Sequence, residues 1–262
     1  SAIFIRIDSL VINALMSFGC SKDQTKAPMT SIFIEVMPDG TIHCTSTDQQ
    51  RVSLYATPEG TAGGIDMGRF EDSIRIALPV DSSGFASNRL LSHVEGAVRM
   101  SVDASKVMMS TPVMRFFCSQ ETGAKNYPRM RDLLKEKSGF SLCAPRAELL
   151  RVSKLVHVVA NKSVCKVSFD PGGTVLLSGK GKINKANRSN QSISLDDLEG
   201  DMFENPEILV SSEDLNDAIS ALTSDEVRIG LSISNNETLG PILTIGQGGC
   251  WKHQIFQARE VD

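Results

Sequence analysis

Two periodicities alternate along the chain. Four segments open with a short strand-like run: Ile3-Phe4-Ile5-Arg6-Ile7, Ile74-Arg75-Ile76-Ala77-Leu78-Pro79, Gly139-Phe140-Ser141-Leu142 and Pro206-Glu207-Ile208-Leu209-Val210. Each run leads into apolar positions at helical spacing. In the first segment these are Leu10, Ala14, Leu15 and Phe18, in the third Leu149, Val152, Val156 and Val159, and in the last Leu215, Ala218, Ile219 and Leu222. The spacing predicts helices over 9–18, 145–159 and 211–222. In the second segment, Phe85, Leu90 and Leu91 predict a shorter helix within 82–94, weakened at its start by Gly84. Ser211, with Asp214 three residues on, predicts a capped helix start.

After each helix the pattern changes to period two. Ile32, Ile34 and Val36 alternate before Pro38-Asp39-Gly40; Val98, Met100 and Val102 before Asp103-Ala104-Ser105; Cys165, Val167 and Phe169 before Asp170-Pro171-Gly172-Gly173; and Val227, Ile229, Leu231 and Ile233 before Asn235-Asn236. Alternation bounded by turn residues predicts antiparallel strands. The unit is therefore strand–helix–strands, repeated four times in two pairs. Each helix must bury its apolar face against a sheet. The stretch 126–138, with Pro128 and several Lys and Arg residues, divides the pairs, giving domains over 1–125 and 139–262.

Composition adds limits. The chain has 262 residues, 41% apolar and 22% charged, with a net charge of −4. That is a globular balance, not a disordered one. No apolar run approaches the ~18 residues of a membrane helix, and no basic-then-apolar leader opens the sequence. The six cysteines at 20, 44, 118, 143, 165 and 250 are too widely spaced for a zinc knuckle. They predict small buried thiols in a reducing compartment. The four histidines (His43, His93, His157 and His253) are equally scattered.

Charge is unevenly distributed. From Arg146 to Arg188 nine basic residues face two acidic ones, while from Asp196 onward fourteen acidic residues face three basic ones. On the third helix Arg151 and Lys154 lie opposite Val152 and Val156, and Lys162 returns to that face if the helix continues. Such a face meets phosphates without reading bases, or is simply solvated.

Catalytic patterns do not emerge. Ser163-Val164-Cys165-Lys166 has an S-x-x-K spacing, but it falls in an alternating stretch, where residues three apart point to opposite faces. Gly246-Gln247-Gly248-Gly249 lacks the phosphate-loop spacing and reads as a turn. Asp196, Asp197, Glu199 and Asp201 do not follow an EF-hand pattern. Four regular units without a catalytic constellation predict a scaffold or ring, with no cofactor and no metal.

Several strings carry a resemblance. Ser46-Thr47-Asp48-Gln49-Gln50-Arg51-Val52-Ser53 resembles the A-T-D-G-H-R-L-A string in the middle domain of bacterial sliding clamps, the beta subunit of DNA polymerase III. Asn126-Tyr127-Pro128 through Leu133-Leu134 is similar to the segment leading into the clamp's last domain, and Phe140 to Leu155 resembles that domain's opening strand and helix. Val210 to Leu222 resembles its F-N-x-x-Y-L-x-D-A-L-x-A-L helix, and His253 to Arg259 its H-V-I-M-P-M-R ending. Together these cover nearly the whole chain.

The resemblance implies an α+β DNA-clamp fold, with helices on the inner face of a curved antiparallel sheet. It implies a non-catalytic, cytoplasmic processivity factor that encircles duplex DNA regardless of sequence and self-associates into a ring, with no membrane partner. DNA contacts would come from Arg146, Arg151, Lys154 and Lys162. A DNA polymerase and a clamp loader would bind through short peptides, in a pocket between the middle and last domains. The matching positions are Thr47, Gln50, Arg51, Val52, Pro128, Leu133, Gln254, Phe256 and Ala258. Family members have three such domains and dimerise. This chain matches the last two, so either a first domain is missing or two domains close as a trimer, as in proliferating cell nuclear antigen. Gln49-Gln50 stands where the family has Gly-His, and Phe256-Gln257 where it has Met-Pro, which implies an altered peptide preference. The rival expectation is a clamp-like scaffold for protein partners that does not encircle DNA.

Overall fold

The computed structural model describes residues 3–21, 29–57, 74–79, 96–102, 106–112, 115–119, 127, 136–161, 163–181, 188–204, 206–235, 239–248 and 250–258. The helix expected within 82–94, the turn at Asp103-Ala104-Ser105, and Pro128, Leu133 and Lys162 lie outside the described residues. The chain divides into two units, Ser1–Pro128 and Arg129–Asp262. The division falls inside the 126–138 stretch, and a strand opens at Glu136 before that stretch ends.

In the first unit, β1 (Ile3–Asp8) runs into α1 (Ser9–Ala14). Asp8 caps the helix, its Oδ1 accepting from the Leu10 N–H at 2.8 Å. The helix continues as a π-helical turn over Leu15–Gly19 and buries Leu15 and Phe18. Gly19 lets this turn lie directly on a neighbouring strand, because a Cβ there would sit 2.0 Å from Ser46 Oγ. Ser46 Oγ in turn donates to the Leu15 carbonyl at 2.7 Å.

Two antiparallel sheets follow. β2 (Ser31–Val36), β3 (Ile42–Thr47), β4 (Arg51–Ala56) and β5 (Ile74–Pro79) lie in the order β4-β3-β2-β5. β6 (Ala97–Val102), β7 (Lys106–Ser110) and β8 (Arg115–Ser119) join β1 in the order β1-β6-β7-β8. The opening strands are exchanged between the repeats. β1 pairs with β6 of the second repeat, and β5, which opens the second, pairs with β2 of the first. β6 shows the predicted alternation, with Val98, Met100 and Val102 buried and Arg99 exposed. β2 does not, because all six of its residues are buried; it is covered on both faces.

The second unit repeats the plan. β9 (Glu136–Pro145) leads into α2 (Arg146–Ala160), followed by β10 (Val164–Asp170), β11 (Thr174–Lys180), β12 (Arg188–Ser194) and β13 (Asp196–Gly200). β14 (Glu207–Ser211) leads into α3 (Ser212–Ala221), followed by β15 (Glu226–Ser234), β16 (Ile242–Gln247) and β17 (Trp251–Phe256). The opening strands again swap: β14 pairs with β10, and β9 with β15. The sheets are β12-β11-β10-β14 and β13-β9-β15-β16-β17.

Helix α2 packs on β11 and β12 and against α3. It buries Leu149, Val152, Ser153, Val156 and Ala160, so the stripe ends on Ala160 and leaves Val159 half-buried. Gly179 permits this approach, since a Cβ there would lie 2.8 Å from Val156 Cγ1. Asn161 closes the helix at φ 49°, its N–H donating to the His157 carbonyl. The capping read at Ser211 is present: its Oγ accepts from the Asp214 N–H at 3.2 Å. The alternation in β15 holds through Ile229; Gly230, Leu231 and Ser232 are then all buried, and Ile233, beside a register shift between Ile233 and Ser234, is half-buried. Among the described residues no helix is long and apolar enough to cross a membrane.

Candidate functional site

The expected DNA face begins on α2. Arg151 and Lys154 are exposed, opposite the buried Leu149, Val152 and Val156. Arg151 reaches Glu148 one turn back at 3.9 Å, a weak surface pair. The face is less purely basic than the sequence predicts, because Leu155 and Val158 are also exposed on α2, Val158 to 75%. Arg146 has a different employment. Its Nε and Nη2 donate to the carbonyls of Ile219 and Ser220 at 3.1 Å, in the last turn of α3. It therefore satisfies helix-end carbonyls and opposes their partial negative charge.

The string Ser46–Ser53 forms a tight hairpin turn between β3 and β4. Thr47 is buried; its Oγ1 donates to the Arg51 carbonyl at 2.9 Å and accepts from the Gln49 N–H at 3.1 Å. Asp48 Oδ1 accepts from the N–H groups of Gln50 and Arg51, both at 3.0 Å. Asp48 Oδ2 pairs with Arg51 Nε at 3.0 Å, and the guanidinium lies 4.9 Å from the Phe18 ring centroid. Thr47, Asp48 and Arg51 thus build the turn and fix it on the first helix. Gln50 is exposed, whereas Val52 has no exposed surface and packs in the core.

Gln49 has φ +82° at the position where the resembled string has glycine. A side chain in that region is strained. Gln49→Gly therefore raises stability by about 1 kcal/mol, the relief of strain outweighing glycine's larger unfolded-state entropy. Thermal unfolding checks this: Tm rises by a few degrees, and an unchanged or lower Tm contradicts it.

In the second unit the peptide-pocket candidates Gln254 and Phe256 lie on β17, with Ala258 just beyond it. Gln254 is buried, and its Nε2 makes a long bond to Thr244 Oγ1 at 3.4 Å. Phe256, two residues along the same strand face, is half-buried, which suits a wall better than a core position. The Ala258 N–H donates to the Leu209 carbonyl at 2.8 Å and ties the end of the described chain to β14. A groove of about 330 Å³ lies on this unit, lined by Gly139, Ser141, Arg228, Thr244, Trp251 and Lys252 among others. Its Arg228 is committed: it donates to Ser141 Oγ at 2.9 Å and pairs with Asp197 at 2.7 Å and Glu199 at 3.2 Å.

Ser163 precedes β10, and Lys166 pairs with Glu207. Among the described residues no group of three or more His, Cys, Asp or Glu is placed to hold a metal. Burial pushes the thiols of Cys20 and Cys165 up to about 12 and that of Cys44 higher still, which makes them poor nucleophiles. Sequence reasoning missed Tyr127 as an anchor. It is 2% exposed and stacks on Phe33 with centroids 4.7 Å apart, and its place beside Pro128 in the resembled segment was the available signal.

No protein-family model and no curated protein matches the sequence. Solved structures do. A DNA polymerase sliding clamp from Bacillus subtilis is 20% identical, with a TM-score of 0.76 over 98% of this chain. The DNA polymerase III subunit beta from Pseudomonas aeruginosa is 14% identical with a TM-score of 0.75, and that from Borrelia burgdorferi, solved with a natural product, is 17% identical with a TM-score of 0.76. Each is matched over 98% of this chain. The chain spans only 64% of the Bacillus protein, 66% of the Pseudomonas protein and 63% of the Borrelia protein. Two units with exchanged opening strands, matched over 98% of the chain at this score, give the chain the fold of the bacterial DNA polymerase III beta sliding clamps.

Proposed function

We propose that the chain is a DNA sliding clamp, or the larger part of one. It encircles duplex DNA without reading sequence and tethers a polymerase as a non-catalytic processivity factor. The observation that carries this is the match of both units, over 98% of the chain, to bacterial clamps. Arg151 and Lys154, exposed on α2, supply point-charge attraction to phosphates. Short peptides of a polymerase and a loader engage Gln254 and Phe256 on β17, and ATP hydrolysis is left to the loader.

One observation favours the rival scaffold reading. α3 carries Glu213, Asp214 and Asp217 and no Lys or Arg. An acidic helix beside DNA phosphates is unfavourable unless α2 outweighs it, so the balance between the two helices decides between encirclement and a protein-only scaffold.

Encirclement requires closure, so mass in solution is the first test. Two clamp-like units are a third of a six-unit ring, which predicts a trimer by light scattering. A chain whose ring surface belongs partly to a further domain is monomeric or weakly associated. A stable tetramer or larger assembly contradicts both versions.

A further inference from the structure

The β1-β6-β7-β8 sheet of the first unit buries Ile5, Ile7, Val98, Met100, Val107 and Met109 on one face. On the other, the strand register brings distant cations together. Arg6 pairs with Arg99, Arg99 with Ser110, and Ser110 with Arg115, so three arginines stand in one row across the sheet. All three are exposed, and among the described residues none makes an ion pair. The next row on the same face runs Ser101, Met108, Phe117, and Phe117 is 71% exposed. Asp8 shares this face two residues along β1, and its Oδ1 accepts from the Leu10 N–H.

Like charges directly opposite each other across two strands destabilise a sheet. An exposed phenylalanine beside them gains nothing from burial within the fold. Each feature becomes favourable when an anion with flat apolar groups lies over the face. Neighbouring strands are about 4.8 Å apart, so the arginine row extends about 14 Å. The guanidinium fork matches phosphate oxygens, and an exposed aromatic ring on an antiparallel sheet is a surface on which an unpaired base stacks.

We propose that this face binds single-stranded nucleic acid, with phosphates on Arg6, Arg99 and Arg115 and a base stacked on Phe117. The site lies wholly within the first unit and does not depend on the clamp reading. An acidic protein segment would use the arginines but has no need of the phenylalanine. Duplex DNA would use the arginines but keeps its base faces stacked inside.

The test is fluorescence anisotropy of the full chain with end-labelled (dT)12 at low salt. Replacing Arg6, Arg99 and Arg115 together by Ala weakens binding tenfold or more. It also lowers the slope of log affinity against log salt by about 2, since each single-strand phosphate contact contributes about 0.7. Phe117→Ala weakens binding about tenfold and leaves the slope unchanged. Lys180→Ala, at an exposed position of the second unit, leaves (dT)12 affinity within twofold. All these side chains are exposed, and thermal unfolding reports whether each variant stays folded; Arg99→Ala unfolds at the same temperature as the parent or higher. The proposal is overturned if the triple variant binds (dT)12 like the parent, or if Lys180→Ala weakens binding as much as the triple variant does. It is also overturned if Phe117→Ala is silent while decaglutamate displaces (dT)12, which would make the face an acidic-protein surface.

Discussion

Replacing Arg151, Lys154 and Lys162 together by Glu reduces retention on circular duplex DNA by about a hundredfold at low salt. The first two are exposed on α2, away from its buried stripe, so those two substitutions leave its packing intact; α2 closes at Asn161, short of Lys162. Phosphate contacts release counterions, each contributing about 0.9 to the slope of log affinity against log salt, so the slope falls by nearly 3. The loss is the same for every DNA sequence, because phosphates carry no base information. Arg146→Ala behaves differently. It frees the carbonyls of Ile219 and Ser220 at the end of α3, so it lowers Tm more than it changes the salt slope. Unchanged retention in a folded, self-associating triple variant would remove α2 as the DNA face and favour the scaffold reading.

The second large effect is on partner binding. Phe256→Ala weakens a short peptide with Gln, Leu and Phe anchors by about thirtyfold, equivalent to about 2 kcal/mol for removal of an aromatic hot spot. The half-burial of Phe256 leaves part of the ring open to a partner. Val52 differs: it is fully buried, so Val52→Ala lowers Tm and affects affinity only through the fold. Arg51→Ala lowers Tm as well, through the turn that its bond to Asp48 maintains, while Lys154→Ala changes neither Tm nor affinity. Isothermal titration with thermal unfolding in parallel separates the cases. A Phe256→Ala protein with lowered Tm and unaltered affinity would make the ring a core element rather than a pocket wall.

These expectations draw unequally on the sequence. The helices at Arg146–Ala160 and Ser212–Ala221 were legible because their apolar faces repeat at helical spacing and because Ser211 and Asp214 supply a local cap. The repeat was legible too, since β1, β9 and β14 each precede their own helix. The exchange of opening strands was not. The pairings of β1 with β6 and of β9 with β15 join residues far apart in the chain, and alternation shows which face a strand buries but not its neighbour. The π-turn after Ala14 escaped for a related reason: its apolar spacing stays compatible with an ordinary helix.

Site residues divide in the same way. The hairpin string at Ser46–Ser53 stood out, but sequence could not show that Thr47, Asp48 and Arg51 are occupied by the turn itself. Arg146 counted as one more cation until the end of α3 was placed beside it. The row Arg6, Arg99 and Arg115 could not be seen at all, because only the register of four strands aligns it.

The central claim is topological: a closed ring around duplex DNA is held by linkage rather than by affinity alone. The most direct measurement loads the chain onto closed circular duplex DNA, washes at high salt and then linearises the circle with a single cut. The account predicts that protein remains on the circle through the wash and is released when the DNA is cut, with no release from circles left intact. Equal retention on circular and linear DNA, or loss from both in the wash, would contradict it.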